Sequence, residues 1–317
     1  MRILVTPTSF LTPANVAAKE KIEAFADEVL YNETGKPLKG QELIGALEGA
    51  DGMIAGVDYI TAEVIAKAPD SLKVISRYGA GTDRVDIRAC DERGIKVTNT
   101  PGTNSIAVAE LAFALMLNAA RNIPQLHEDV LHGRWPRGEG MELNGKTLGV
   151  IGLGAIGKNL AVRARAFGME VWAYDPYFDD GFAKHHGIAR KGLEEALCGS
   201  DFISLHIPLN DETRHMIDEK RIAAMKDGAV LINTSRGGVI DENAAAEAVK
   251  SGKLGGLGLD AFEQEPLLHS PLKGLPRVIL TPHTGAHTAE AVRGMGEMAV
   301  QNCIDVLSGR DCPYELH

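Results

Sequence analysis

Cysteine is scarce in this chain. There are 4 in 317 residues, Cys90, Cys198, Cys303 and Cys312, widely separated and without a C-x-x-C pair or a matching histidine spacing. That argues against a disulfide framework and a zinc site, so no metal is expected, and free thiols fit a reducing compartment. Long apolar runs are missing too. The longest, Val108 to Ala120, is broken by Glu110 and Asn118 and is shorter than the ~20 residues a bilayer span needs. The N-terminal residues Met1 to Pro7 contain no extended apolar region, so no signal peptide is visible. Basic charge is in deficit: 33 Lys and Arg against 43 Asp and Glu, a formal net charge of -10. Neutralising phosphates takes clustered cations, so a nucleic-acid partner is not expected. The expectation is a cytoplasmic protein with neither a membrane nor a nucleic-acid partner. A small anionic ligand stays open, because it answers to local rather than net charge.

What is present is an ordinary globular composition, 44% hydrophobic and 24% charged, in a chain long enough for about two domains. Short apolar runs alternate with helical patterns. Arg2–Val5, Gly52–Ala55, Lys73–Ser76 and Ile95–Thr98 read as strands, and Pro13–Phe25 reads as a helix. A second series follows Asn144-Gly145: strands at Lys146–Ile151, Glu170–Tyr174, Asp201–His206, Ala229–Asn233, Gly256–Leu259 and Val278–Thr281. Alternation of this kind yields parallel sheets covered on both faces. Two long helices separate the series, one from about Asn104 to Asn122 with Thr103 or Asn104 as cap, the other from about Thr288 to Leu307. The first is apolar nearly all round and is expected to be buried. Gly133–Gly140 reads as a surface loop. The fold expected is α/β, two doubly wound parallel-sheet domains, with the cleft between them as the default site.

The strongest local signal is Gly152-Leu153-Gly154-Ala155-Ile156-Gly157, which follows a strand and opens a helix. In a dinucleotide fingerprint Gly152 permits the tight turn, Gly154 lets a pyrophosphate approach the backbone, and Gly157 lets helix and strand pack closely. The amides of Ala155 and Ile156 then face the phosphates. Asp175 ends the next strand, 23 residues beyond Gly152. A carboxylate there accepts hydrogen bonds from ribose hydroxyls and repels a 2′-phosphate, and no Arg or Lys immediately follows it, so the cofactor expected is NAD.

Three ionisable residues sit just after strands of the second series: Arg236, Glu265 and His283. Carboxyl ends of strands are where open parallel sheets bind ligands. Oxidising an alcohol by hydride transfer needs a base for the hydroxyl proton, and histidine suits neutral pH. A carboxylate beside such a histidine orients its ring and favours the protonated form. An arginine holds a substrate carboxylate through paired hydrogen bonds. Each residue alone is unremarkable; the combination beyond a dinucleotide fingerprint is what carries weight.

With these residues in view, the chain resembles the D-2-hydroxyacid dehydrogenases, and within them the phosphoglycerate dehydrogenase branch. The resemblance runs through Arg77-Tyr78-Gly79-Ala80-Gly81-Thr82-Asp83, Asn99-Thr100-Pro101-Gly102, Val108-Ala109-Glu110, Glu142-Leu143-Asn144-Gly145-Lys146-Thr147, the glycine turn, Asn233-Thr234-Ser235-Arg236-Gly237-Gly238, Asp260-Ala261-Phe262-Glu263-Gln264-Glu265-Pro266 and Thr281-Pro282-His283-Thr284-Gly285-Ala286. It implies a flavodoxin-like substrate domain from residues 1–100 plus 288–317 and a Rossmann NAD domain from 101–287. It implies that Arg236 binds the substrate carboxylate and carbonyl, that His283 is the general acid/base and that Glu265, directly before Pro266, is its partner. Asp260 would contact the nicotinamide carboxamide. Thr234 and Ser235, with Arg236 and His283, would line the nicotinamide pocket; His206, Ile207 and Pro208 would flank the adenosine; Gly285 and Ala286 would complete the cofactor set. Arg77, Tyr78, Gly79 and Ala80 would meet the substrate, Ala80 and its neighbours through backbone amides. A homodimer through the NAD domains is implied as well.

The substrate expected is a small 2-hydroxy or 2-oxo acid: 3-phosphoglycerate/3-phosphohydroxypyruvate, or hydroxypyruvate/glyoxylate. Phosphoglycerate dehydrogenases often carry Arg-Ser after the third strand of the first domain. Here that stretch reads Ala55-Gly56-Val57-Asp58-Tyr59, which supplies no cation and adds an opposing Asp58. Arg77, Arg134 and Arg137 remain as phosphate contacts or as ordinary surface arginines. The chain also ends without room for the regulatory domain of serine-pathway relatives, so serine feedback is not expected. The alternatives are an NAD(H)-sensing protein of the C-terminal binding protein type and, on the same architecture, a formate or phosphite dehydrogenase.

Overall fold

Apolar runs of three to six residues, separated by helices, place parallel strands side by side. In the computed structural model, which describes residues 1–316, they form two sheets in two compact units. One unit is Met1–Asn104 together with the segment from Ala286 onward; the other is Ser105–Gly285. These boundaries differ slightly from the sequence reading and put Ala286 in the first unit.

The first unit holds β1 (Arg2–Val5), β2 (Glu28–Tyr31), β3 (Gly52–Ala55), β4 (Val74–Arg77) and β5 (Lys96–Thr98), in the spatial order β5-β4-β3-β1-β2. All neighbours are parallel. This is the flavodoxin-like order. The helix Ala289–Leu307, capped by the Thr288 hydroxyl, lies on this sheet and buries Val292, Met295, Ala299, Val300 and Cys303 against Ile3, Val5 and Ile54.

The second unit holds β6 (Thr147–Ile151), β7 (Glu170–Tyr174), β8 (Ala189–Arg190), β9 (Phe202–Leu205), β10 (Ala229–Asn233), β11 (Leu254–Leu259) and β12 (Val278–Leu280). Their order is β12-β11-β10-β9-β6-β7-β8, all parallel, which is the dinucleotide-binding order with its reversal between β6 and β9. A last strand, β13 (Glu315–Leu316), pairs antiparallel with β5 in the first unit. The helix Ser105–Arg121 is buried along most of its length, and its Ala112, Leu115, Met116 and Ala119 pack into the core around Val150, Phe202 and Val230. It lies close on β11 because that strand is glycine-rich: a Cβ on Gly258 would meet the Leu115 Cβ at 2.9 Å. Among the described residues no single helix is long and apolar enough to cross a membrane.

Candidate active site

β6 ends at Ile151, and the chain turns through Gly152 into the 12-residue helix Ala155–Ala166. Gly152 has φ +99°, and a Cβ there would lie 2.3 Å from the His206 carbonyl oxygen. A Cβ on Gly157 would lie 2.0 Å from the Gly152 oxygen. Neither position tolerates a side chain. Gly154 is the opposite case: a Cβ would meet nothing within 4 Å, so its face is open. The helix that begins here has no side-chain cap, which leaves first-turn N–H groups and the positive end of the helix dipole directed at that open face. This is a cradle for a pyrophosphate. Asp175 braces it: one carboxylate oxygen accepts the Leu153 amide and the other the Tyr177 amide, both at 2.7 Å. Each oxygen keeps a second lone pair for a ribose hydroxyl.

The next strand ends supply two buried polar atoms with no partner, His206 Nδ1 and Thr234 Oγ1. Unpartnered buried polar atoms are uncommon, and two at strand ends of the sheet that carries the glycine turn, one of them on His206, whose carbonyl lies against Gly152, fit a polar ligand such as a dinucleotide. Ile207 is 9% exposed and packs into the core, beside the face of Gly152, while Pro208 is exposed. Burial pushes the His206 imidazole down to about 4. A histidine held neutral makes the fold acid-sensitive: below its ordinary 6.5 the unfolded chain takes up a proton the folded chain refuses, so stability falls from about pH 6.5 towards 4. Between pH 7 and 5 the wild type should lose up to about 2 kcal/mol more than a His206→Gln variant. Urea titrations of both at the two pH values check this; equal losses would refute it.

The three chemical residues ride on interlocked loops at the carboxyl ends of β10, β11 and β12. Asn233, fully buried, shapes the first. Its Oδ1 accepts the Ser235 amide (2.9 Å) and hydroxyl (2.7 Å), and its Nδ2 donates to the Arg236 carbonyl at 2.7 Å. Arg236 follows in extended backbone, half-buried. Gly237 lets the second loop sit on the first, since a Cβ there would be 1.8 Å from the Phe262 carbonyl carbon. The second loop carries Glu265, whose Oε1 accepts the Phe262 amide at 3.3 Å and lies 2.8 Å from His283 Nδ1. His283 is 40% exposed in its side chain and Glu265 21%, so the histidine is the member that solvent and ligands reach.

Asp260 ties the third loop to the second. It is 2% exposed, and its carboxylate accepts the Thr281 hydroxyl (2.6 Å) and the amides of Thr284 and Gly285 (2.8 Å each). These bonds bracket His283, which sits at φ +51°, a strained backbone region for a residue with a side chain. In this structure Asp260 braces the loop that carries His283, and its Oδ2, with one hydrogen bond, keeps a second lone pair.

The structure thus brings Arg236, Glu265, His283, Asp260, Thr234, Ser235 and Gly285 into one set of strand-end loops, with the glycine turn, Asp175 and His206 on the same sheet. Arg77, Tyr78, Gly79, Ala80 and Ala286 belong to the first unit. There Tyr78 is a core residue: it is 6% exposed and its hydroxyl donates to the Val292 carbonyl at 2.8 Å. That corrects its expected substrate role. The Arg77 guanidinium folds back onto the carbonyl oxygens of Tyr78 and, at 3.4 Å, Ala55. The Gly79 amide bonds to Thr100 Oγ1 at 2.9 Å, and Asn99 donates to the Ala80 carbonyl at 2.9 Å. Asp58, expected to oppose a phosphate, is 1% exposed; it takes the Thr6 hydroxyl and, at 2.7 Å, the Leu38 amide. Residues without a role in the sequence reading are Asn233, Gly237, Glu242 and Glu263; Asn233, Gly237 and Glu263 stood inside quoted motifs, the last set aside in favour of Glu265, and Glu242 has no local signal.

Residues 113–285 match the sequence model of the D-isomer specific 2-hydroxyacid dehydrogenase NAD binding domain. The chain is 45% identical over 287 residues to the D-3-phosphoglycerate dehydrogenase of Methanocaldococcus jannaschii, a match covering 89% of this chain and 55% of that protein. It is 42% identical over 292 residues to the hydroxypyruvate reductase of Thermotoga maritima, covering 89% of this chain and 94% of that one. The D-lactate dehydrogenase of Aquifex aeolicus, solved with NAD and lactic acid, superposes with a TM-score of 0.85 at 33% identity, over 97% of this chain and 96% of that one.

Proposed function

The chain belongs to the D-isomer specific 2-hydroxyacid dehydrogenase family, and from that premise we propose that it moves a hydride between NAD and C2 of a small 2-hydroxy or 2-oxo acid. The observation that carries the proposal is the 2.8 Å pair of His283 and Glu265, on loops interlocked with Arg236. NAD, when bound, supplies the hydride acceptor or donor. The protein's groups supply the rest. His283 Nδ1 faces Glu265, so the other ring nitrogen, Nε2, takes the hydroxyl proton during oxidation and returns it to the oxo oxygen during reduction. Glu265 holds the ring and offsets the imidazolium charge. Arg236 presents a planar fork to the substrate carboxylate.

The substrate proposed is unphosphorylated, hydroxypyruvate or glyoxylate, ahead of 3-phosphohydroxypyruvate. Support comes from the β3 and β4 loops: Gly56 carries no side chain, Asp58 is buried, and Arg77 is turned onto its own backbone. The purified protein with NADH and a panel of hydroxypyruvate, 3-phosphohydroxypyruvate, glyoxylate, pyruvate and 3-sulfopyruvate tests this. Fastest NADH consumption with hydroxypyruvate or glyoxylate is the expected result. A preference for the phosphorylated acid would reverse the substrate assignment, and none at all despite NADH binding would favour a cofactor-sensing role.

NAD over NADP rests on Asp175. Asp175→Ala removes the carboxylate that would repel a 2′-phosphate, so the ratio of kcat/KM values for NADH and NADPH should narrow by about tenfold or more; an unchanged ratio would place ribose recognition elsewhere. A homodimer is part of the proposal. The helix Ile123–Leu131 buries none of its residues, and Ile123, Val130 and Leu131, with nearby Trp135, expose an apolar face suited to a second copy. Four free cysteines fit a reducing, cytoplasmic setting.

A further inference from the structure

The loop that carries Glu265 is itself held by a second pair of carboxylates. The Glu263 amide donates to the Glu242 carboxylate at 2.7 Å, and the Glu242 amide donates back to Glu263 Oε1 at 3.3 Å. Glu242 is the first residue of the helix Glu242–Lys250 and is 8% exposed. That helix does not need it as a cap. Asp241 already accepts the amides of Asn243 and Ala244, at 3.0 Å each. Nor is the arrangement cheap. Burial first, then the charges of Glu263 and Glu265, push the Glu242 carboxyl above the usual carboxylate range, although the Glu263 amide and the Ser270 hydroxyl pull the other way. On the far side, Glu263 Oε1 also faces His215 Nε2 at 3.3 Å. The outcome is a backbone fixed at Glu263 by Glu242 and pressed on Gly237 at Phe262, the residue whose own amide bonds Glu265.

We propose that Glu242 is a positioning residue for proton transfer: its carboxylate fixes the Phe262–Glu265 turn so that Glu265 meets His283 Nδ1 in one geometry. The inference rests on the hydride-transfer reading above. Glu242 acts through the Glu263 amide. Losing it leaves that amide without its acceptor and frees the turn, and a loosened partner no longer selects one ring orientation.

The test compares wild type, Glu242→Ala and Glu242→Gln in the full chain. The measurements are steady-state kcat and KM with the best acid of the panel, NADH affinity by fluorescence, and the ¹⁵N shifts of the His283 ring, which report its tautomer. Glu242→Ala should lower kcat about tenfold, because small misplacements of reacting groups cost that much or more. KM for the acid and NADH affinity should stay within about twofold. The His283 signature should change from a single Nδ1–H form to a mixture. Glu242→Gln keeps a carbonyl to accept the Glu263 amide and should restore both readouts. A Glu242→Ala protein with wild-type kcat and ring signature overturns the proposal, as does a Gln variant no better than Ala or a loss matched by weaker NADH binding. If Glu242→Ala fails to fold, Glu242→Asp, with its shorter reach, takes its place with the same criteria. Should the wild type reduce no acid at all, the hydride-transfer reading fails, while the ring signature still decides whether Glu242 sets the histidine.

Discussion

Replacing His283 with alanine should lower kcat for 2-oxo acid reduction by about 10² to 10⁴, the usual contribution of a positioned general acid or base. The loss falls on kcat because the imidazole moves a proton only as the hydride moves. NADH affinity should change little: the glycine turn and its Asp175 brace are built on β6 and β7, apart from the β12 loop that carries His283. The variant should also fold, since a side chain 40% exposed leaves no large void when shortened, and the φ +51° strain at this residue stays bounded by the Asp260 bonds to Thr281, Thr284 and Gly285. Steady-state rates beside NADH fluorescence titrations decide it. A kcat within about threefold of wild type would remove His283 as the proton carrier.

Arg236→Ala comes second in size. Deleting one partner of a hydrogen-bonded charge pair costs about 2–5 kcal/mol, or about 30- to 5,000-fold in kcat/KM for the acid. Arg236→Lys is the informative companion. It keeps the charge but loses the planar fork, so it should recover only part of the loss. The Arg236 guanidinium also donates to the Ser235 carbonyl at 2.9 Å, but Asn233 still holds the Ser235 amide and the Arg236 carbonyl when that side chain is removed. If both variants match wild type in kcat and KM, the substrate carboxylate is bound elsewhere.

Much of the fold was legible because its signals are local. β1, β3, β7 and β10 stand at the residues read from their apolar runs, and the two long helices begin and end within a residue or two of the reading. What escaped was short, at an edge, or half-exposed. β2 has one exposed and three part-buried residues, β8 and β13 are two residues long, and Ile123–Leu131 buries nothing, so none shows the burial period from which elements are inferred.

The candidate site divides the same way. By itself the sequence determined the glycine turn, Asp175 at the end of the following strand, and the placement of Arg236, Glu265 and His283 just beyond β-strands, because turn geometry and strand ends are written in a few adjacent residues. Only the tertiary structure decided what those neighbours do for each other. It turned Tyr78 into a core residue, buried Asp58, aimed Asp260 at the amides around His283, and set Glu242 against Glu263, 21 residues apart in the chain. Each of these depends on which groups lie across a hydrogen-bond distance once distant segments are packed, and a buried carboxylate must find its partners there or not be buried at all.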